Sequence, residues 1–174
     1  MAKSERDGGL RGIFKTRVPE IMWVPIETWA VSGAGVPDSW YISPCGAQGW
    51  VEYKREDRKL DPAQSGFVDR VTRYGGRAIV AVVTKDGDEL RIFHGSDAQK
   101  LARLGPMGYK TVAPAGRWVG GPKRWNWGDI RRLLTADVPP PAVSISDVHL
   151  EPVKVSGPTG IDADSKKIKP PSLP

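Results

Sequence analysis

Three charged residues are spaced so that they can act together on a phosphate ester. Asp38 begins one predicted strand, and Glu52 and Lys54 end the next, fourteen and sixteen residues later. Side chains alternate across a strand, so Glu52 and Lys54 project to the same side and Tyr53 to the other. If the two strands pair, Asp38 comes near Glu52. Two carboxylates then converge beside an ammonium group.

This combination suits a hard divalent cation with open positions for water and phosphate. The cation lowers the pKa of a bound water and neutralises the phosphate, while Lys54 orients or deprotonates the water. The spacing therefore predicts phosphodiester hydrolysis. The simpler alternatives are a turn-capping carboxylate at Asp38 and an exposed ion pair between Glu52 and Lys54, worth about 0–1 kcal/mol. The apolar Trp50-Val51 pair argues against an exposed strand.

The order Pro-Asp, spacer, Glu-x-Lys resembles the signature of the PD-(D/E)XK nuclease superfamily. Ser32-Gly33 is similar to the Ser-Gly that precedes this motif in Holliday-junction resolvases. Gln64, ten residues after Lys54, matches a glutamine of VRR-NUC and resolvase-like members. The stretch from Gly75 to Val82 resembles their next strand. The resemblance covers roughly residues 20–95, and small phage endonucleases of this type also look similar in size.

The resemblance implies a restriction-endonuclease-like fold, in which a mixed β-sheet is flanked by helices. It also implies that Mg²⁺ or Mn²⁺ is held by Asp38, Glu52 and the backbone carbonyl of Tyr53. Family members usually carry a further acid on an N-terminal helix. Glu27 is the preferred candidate for that acid, and Glu20 is the alternative.

Hydrophobic periodicity and turn residues predict a mixed α/β domain. The clearest helix runs over 61–75, with Asp61 as N-cap and Pro62 at the first helical position. A β-branched run at 77–84 predicts a buried strand, and Asp86-Gly87 predicts a hairpin turn. The other predicted elements are strands at 23–31, 36–42, 49–54 and 89–93, helices at 97–104 and from 126 or 127 to 134, and a surface loop at 105–124.

Positive charge and aromatic residues mark a candidate DNA surface. The net charge is +6, and all of it falls on residues 1–137, because the four acids and four lysines after them cancel. Tryptophans interleaved with cations can stack bases and hold phosphates, although they also serve as loop anchors. The candidate DNA-binding residues are Arg55, Arg58, Lys123, Arg124, Trp125, Arg131 and Arg132.

We predict three segments: a flexible N-terminus over 1–17, a domain over 18–137 that the resemblance implies is nuclease-like, and a disordered tail over 138–174. The tail is predicted from its composition, since it holds eight of the sixteen prolines and no aromatic residue. A single cysteine, Cys45, excludes an internal disulfide framework, and two distant histidines argue against structural zinc. The apolar runs are too short for a membrane span, and no secretory signal is visible. These features predict a cytoplasmic protein, in the host cytoplasm if a phage encodes it.

The sequence thus predicts a Mg²⁺- or Mn²⁺-dependent endodeoxyribonuclease that acts on DNA. The resemblance to resolvases suggests branched substrates such as Holliday junctions, while the residues leave junction, flap, nick and plain duplex open. Cleavage of both strands needs two active sites, which favours a homodimer. The alternative is a non-catalytic DNA-binding or virion-associated protein that retains the nuclease fold.

Overall fold

The computed structural model describes residues 7–26 and 35–136. Within these ranges, six strands form one sheet, and helices lie on both of its faces. The strands are β1 (Met22–Pro25), β2 (Ser39–Ile42), β3 (Gln48–Arg55), β4 (Ala78–Val83), β5 (Leu90–His94) and β6 (Gly116–Trp118). The helices are α1 (Leu10–Arg17), α2 (Pro62–Arg73), α3 (Ala98–Leu104), α4 (Gly108–Thr111) and α5 (Trp127–Thr135), with 3₁₀ turns at Gly95–Asp97 and Gly105–Met107.

The strands lie in the sheet in the order in which they occur along the chain. Neighbouring strands are antiparallel, apart from the parallel pair β3 and β4. A parallel pair needs a crossover connection, and α2 supplies it. The predicted mixed α/β architecture is confirmed by this mixed sheet between helices.

Strand β4 separates two apolar cores. Ile79, Ala81 and Val83 face the core that α1 and α5 cover, while the alternate residues face the core that α2, α3 and α4 cover. Every residue of β4 is buried, as its continuous apolar sequence predicts for a central strand.

Helix α2 begins as the sequence predicts. The side chain of Asp61 accepts a hydrogen bond of 2.8 Å from the backbone N–H of Ala63, and Pro62 occupies the first helical position. The predicted strand at 36–42 is shorter than expected, since β2 begins only at Ser39. The predicted strand at 23–31 begins at Met22 and ends at Pro25, and its last residues lie outside the described ranges.

Helix α1 corrects the predicted flexible N-terminus (1–17) over residues 10–17, and residues 1–6 lie outside the described ranges. Leu10 and Phe14 are fully buried, one helical turn apart. The ring of Phe14 contacts the rings of Trp23, Tyr53 and Trp127 edge-on, at centroid distances of 5.7, 5.4 and 5.5 Å. These contacts fix α1 against the sheet.

The predicted surface loop at 105–124 is also wrong in part. It contains α4 and β6, and Tyr109 of α4 is buried, with its hydroxyl donating a 3.0 Å hydrogen bond to the carbonyl of Arg58. The frequent Gly and Pro residues indicate turns, but here they connect short elements that pack against the sheet.

We expect Gly95→Ala to lower the free energy of unfolding by about 1–3 kcal/mol. A Cβ at this buried glycine would lie 2.8 Å from the carbonyl oxygen of Ala78, and backbone atoms cannot give way cheaply. Gly12→Ala is the matched control, because nothing lies within 4 Å of a Cβ at this helical position. It should stabilise α1 by about 0.5–1 kcal/mol. Urea unfolding of both variants tests the packing, and equal stabilities would contradict it.

Candidate active site

The structure brings Glu52, Lys54 and Gln64 into one hydrogen-bonded group. Glu52 and Lys54 are alternate residues of β3 and project toward α2, and Gln64 lies in the first turn of α2. The ammonium group of Lys54 bonds Oε1 of Glu52 and, at 3.1 Å, Oε1 of Gln64. The spacing of the first two residues and the resemblance that pointed to Gln64 thus lead to the same place in the fold.

The crossover between the parallel strands explains this meeting. Helix α2 leaves the end of β3 and returns the chain to the beginning of β4, so its first turn lies over the last residues of β3. The Asp61 cap fixes where that turn begins. The short link from Lys54 to Gln64 therefore follows from local helix chemistry.

Asp38 lies one position before β2, which places it beside Glu52 if the Ser39–Val51 register is continued. Its Oδ2 accepts a 2.9 Å hydrogen bond from the backbone N–H of Tyr53. The charge of Asp38 also reaches Glu52, because it contributes to the raised pKa of that carboxyl. The Asp38 carboxylate therefore accepts the hydrogen bond that follows the last β2–β3 backbone pair, and Asp38 lies close to Glu52.

The backbone of Tyr53 faces the same edge as Asp38. The N–H groups of Trp50 and Glu56 donate toward the β4 side, to the carbonyls of Arg77 at 3.0 Å and Val83 at 2.8 Å. Because backbone groups alternate along a strand, the N–H and carbonyl of Tyr53 point away from β4, toward the β2 edge of β3. Tyr53 lies past the last β3 residue that pairs with β2, so β2 does not cover these groups. The aromatic ring of Tyr53 is buried in the core under α1. Its carbonyl is thus placed to act with Asp38.

Glu52 is the most deeply buried charged group of the site. Its side chain is 0% exposed, and Oε2 has no hydrogen-bond partner among the described residues. Burial, and to a smaller extent the charge of Asp38, raise the pKa of Glu52 to about 7 against the opposing effect of Lys54. A buried acceptor oxygen without a donor is rare in folded proteins and marks a group that awaits a partner.

The oxygens at this edge fit a hard cation. Oε2 of Glu52, the Asp38 carboxylate and the Tyr53 carbonyl are oxygen ligands of the kind that Mg²⁺ and Mn²⁺ accept. Within residues 7–26 and 35–136, no group of three or more His, Cys, Asp or Glu side chains gathers around a common point. The described protein ligands would therefore be two carboxylates and one carbonyl.

Of the two candidates for a further acid, only Glu20 lies in the described residues, and it does not extend this set. Glu20 bonds Arg131 of α5 at 2.7 Å, so the structure places it in a surface ion pair. Glu27 and the Ser32-Gly33 motif lie outside the described residues.

Arg11 is a site residue that the sequence analysis missed. Its Nη2 lies 3.3 Å from Oδ1 of Asp38, and its Nε is buried without a hydrogen-bond partner in the described part of the chain. The available signal was the i, i+4 pair Leu10 and Phe14, which predicts a helix that carries Arg11 to the sheet. Asp38 is thus shared between a backbone donor and a guanidinium.

The predicted DNA-binding residues have different surroundings. Trp125 is 3% exposed, and its indole N–H donates a 2.9 Å bond to the carbonyl of Asp88, so this ring anchors a loop and is not open to a base. Trp127 and Trp118 also pack against the core. The cations are at the surface or partly exposed: Arg131 bonds Glu20, Arg132 bonds Asp129, Arg55 and Arg58 approach Asp57, and Lys123 and Arg124 are exposed.

Comparisons with protein-family models, curated proteins and solved structures gave no match for this chain. In the ranges that the structure covers, no helix is long and apolar enough to cross a membrane.

We expect the metal-free protein to lose stability as the pH rises from about 4.5 to about 7. The native state holds the proton of Glu52 more tightly than the unfolded chain does, so deprotonation in this window favours unfolding. One pKa unit corresponds to about 1.4 kcal/mol, which makes the loss on the order of 3 kcal/mol.

Glu52→Gln should remove most of this fall in the free energy of unfolding between pH 5 and pH 8. Glu20→Gln is the matched control, since Glu20 is at the surface with Arg131 and its variant should keep the wild-type pH profile. Urea unfolding in EDTA at several pH values measures both. The same slope in Glu52→Gln and wild type would show that Glu52 ionises normally.

Proposed function

We propose that this protein is a metal-dependent endodeoxyribonuclease with a restriction-endonuclease-like fold. The observation that carries the proposal is the buried Glu52 carboxylate, whose Oε2 lacks a hydrogen bond while Lys54 holds Oε1 and Asp38 lies close by. The resemblance to the PD-(D/E)XK superfamily, drawn from sequence motifs, supports the same reaction.

Each side chain has a distinct part in phosphodiester hydrolysis. A Mg²⁺ or Mn²⁺ ion held by Asp38, Glu52 and the Tyr53 carbonyl would supply a water of lowered pKa and neutralise phosphate charge. Lys54 orients the attacking water and stabilises charge that develops on the phosphate. Gln64 positions Lys54 through the 3.1 Å bond to its ammonium group. The N–H of Tyr53 fixes the Asp38 carboxylate.

The contacts to DNA in this proposal are made by cations on the protein surface. Arg55, Arg58, Lys123, Arg124, Arg131 and Arg132 are the candidates for phosphate contacts, which give affinity without reading sequence. We infer a homodimer for cleavage of both strands, since the described residues of one chain form one site of this kind.

The alternative is a DNA-binding or virion-associated protein that no longer cleaves. The contact between Arg11 and Asp38 favours it, because an acid that is already paired with a guanidinium has less need of a cation. The unpartnered oxygen of Glu52 favours catalysis, since Arg11 leaves it untouched.

We expect Asp38→Asn and Glu52→Gln each to lower single-turnover cleavage of plasmid DNA by about 100-fold or more, because each removes a charged ligand of the cation. Lys54→Ala should lose a similar factor with unchanged DNA affinity, and Gln64→Ala should lose about 10-fold. Cleavage should stop in excess EDTA and return with Mg²⁺ or Mn²⁺.

Glu20→Gln is the control, because it removes an acid that the structure pairs with Arg131, and it should cleave at the wild-type rate. A protein that binds DNA but never nicks it with Mg²⁺ or Mn²⁺ would support the non-catalytic alternative. Full activity in EDTA would exclude the metal mechanism.

We expect Arg11→Leu to tighten Mn²⁺ binding by up to about 5-fold, because a cation on Asp38 must otherwise displace a partly exposed ion pair worth about 0.2–1 kcal/mol. Titration calorimetry measures the affinity. Lys15→Leu, on an exposed position of the same helix, should leave it unchanged. Weaker Mn²⁺ binding by Arg11→Leu would mean that Arg11 organises Asp38 for the cation and does not compete with it.

A further inference from the structure

A cleft of about 360 Å³ opens beside the C-terminal end of α2, at the far end of β3 from Lys54. It lies between the sheet and the turn that ends α2. The lining includes Trp40, Gln48, Trp50, Val71, Gly76 and Arg77. Its volume is at the small end of the range for ligand sites, which suits a single flat group.

The two tryptophans of the cleft are direct neighbours on adjacent strands. Trp40 of β2 pairs with Trp50 of β3 in the antiparallel register, so both indoles project from the same face. Trp50 is held edge-on by Phe67 of α2, with ring centroids 5.1 Å apart. Both indoles remain partly exposed, and Trp40 lies beyond the strands β3 and β4 that α2 covers.

Arg77 gives the cleft a positive charge, and Arg70 and Tyr74 are the chain neighbours of its lining residues Val71 and Gly75. Tyr74, which follows α2, is 86% exposed, although tyrosine usually has at least part of its ring covered. Arg70 lies in the last turn of α2 and is exposed, whereas Arg73 in the same turn pairs with Asp69 at 2.9 Å. Aromatic rings with nearby cations are the chemistry that binds bases and phosphates of a single strand.

We propose that this cleft binds an unpaired base of a DNA strand, with Trp40 as the stacking surface and with the neighbouring Tyr74 and Arg70 in contact with the same strand. The positive charge of Arg77, which lines the cleft, complements the phosphates. Gln48 adds an amide that can donate to or accept from a base edge.

The register places this cleft next to the candidate active site. Asp38 precedes Trp40 by two residues, and Glu52 follows Trp50 by two residues. The pair of acids, Asp38 and Glu52 (the acidic row), is therefore about 7 Å along the strands from the pair of tryptophans, Trp40 and Trp50 (the aromatic row). This step rests on the proposed nuclease. The short distance between the two rows indicates that the substrate is DNA with an unpaired nucleotide beside the bond that is cut.

The test compares two variants of Trp40 that both keep an apolar side chain. Trp40→Leu removes the ring, while Trp40→Phe keeps an aromatic face. Binding of the full chain to a labelled 12-nucleotide single strand is followed by fluorescence anisotropy in EDTA, so that no cleavage is required. Thermal unfolding shows that both variants are folded.

We expect Trp40→Leu to bind the single strand about 10-fold or more weakly, and Trp40→Phe to stay within about 3-fold of wild type. Tyr74→Ala, an exposed position, should also weaken binding. Binding to a blunt duplex should change little in any of them. Equal affinity of Trp40→Leu and Trp40→Phe for the single strand would overturn the proposal, as would a wild-type protein that does not bind the strand.

Two further measurements separate this proposal from the proposed nuclease. A wild-type protein that binds the single strand in the ring-dependent way but does not cleave DNA with Mg²⁺ or Mn²⁺ would reject the nuclease and keep the cleft. Should Trp40→Leu instead change only the oligomeric state in size-exclusion chromatography, with single-strand affinity unchanged, the cleft is a contact between copies and the base-binding proposal is rejected.

Discussion

The burial of Glu52 is the constraint on which the site depends. A carboxylate in the interior loses its hydration, and the loss must be offset by partners or by a proton. Lys54 offsets part of it on one oxygen, and Gln64 in turn holds Lys54. The second oxygen is left without a donor in the described structure. Such an arrangement lowers stability at neutral pH, and proteins keep this cost mainly where it has a use.

The central part of the fold could be predicted because its signals are local. The β-branched run of β4, the Asp86-Gly87 turn and the Asp61-Pro62 start of α2 each act within a few residues. Helix α1 has weaker local signals, since Gly12 and several cations interrupt its apolar positions. It becomes ordered through the contacts of Phe14 with rings that are distant in sequence. Those contacts are invisible to periodicity.

The candidate site, like the fold, could be predicted from the sequence only where local signals place its residues. The spacing of Asp38, Glu52 and Lys54 needs only one strand pair to bring the residues together, and strand alternation gives their sides. Arg11 reaches Asp38 only because α1 packs against the sheet, and the sequence did not predict α1. Tryptophans were harder to place, because their surroundings are tertiary: Trp125 lies among cations in the sequence yet is covered by the core, whereas Trp40 lies in a strand yet borders an open cleft.

One strand register aligns the two proposed parts of the substrate surface. The pairing of Trp40 with Trp50 sets the aromatic row, and its continuation sets Asp38 beside Glu52. A shift of β2 by one residue would turn Trp40 into the opposite core and carry Asp38 to the other face. Helix α2 also contributes to both parts, since Gln64 in its first turn binds Lys54 and its C-terminal end borders the cleft. The proposed stacking and the proposed cleavage would therefore depend on the same β2–β3 register and the same crossover helix.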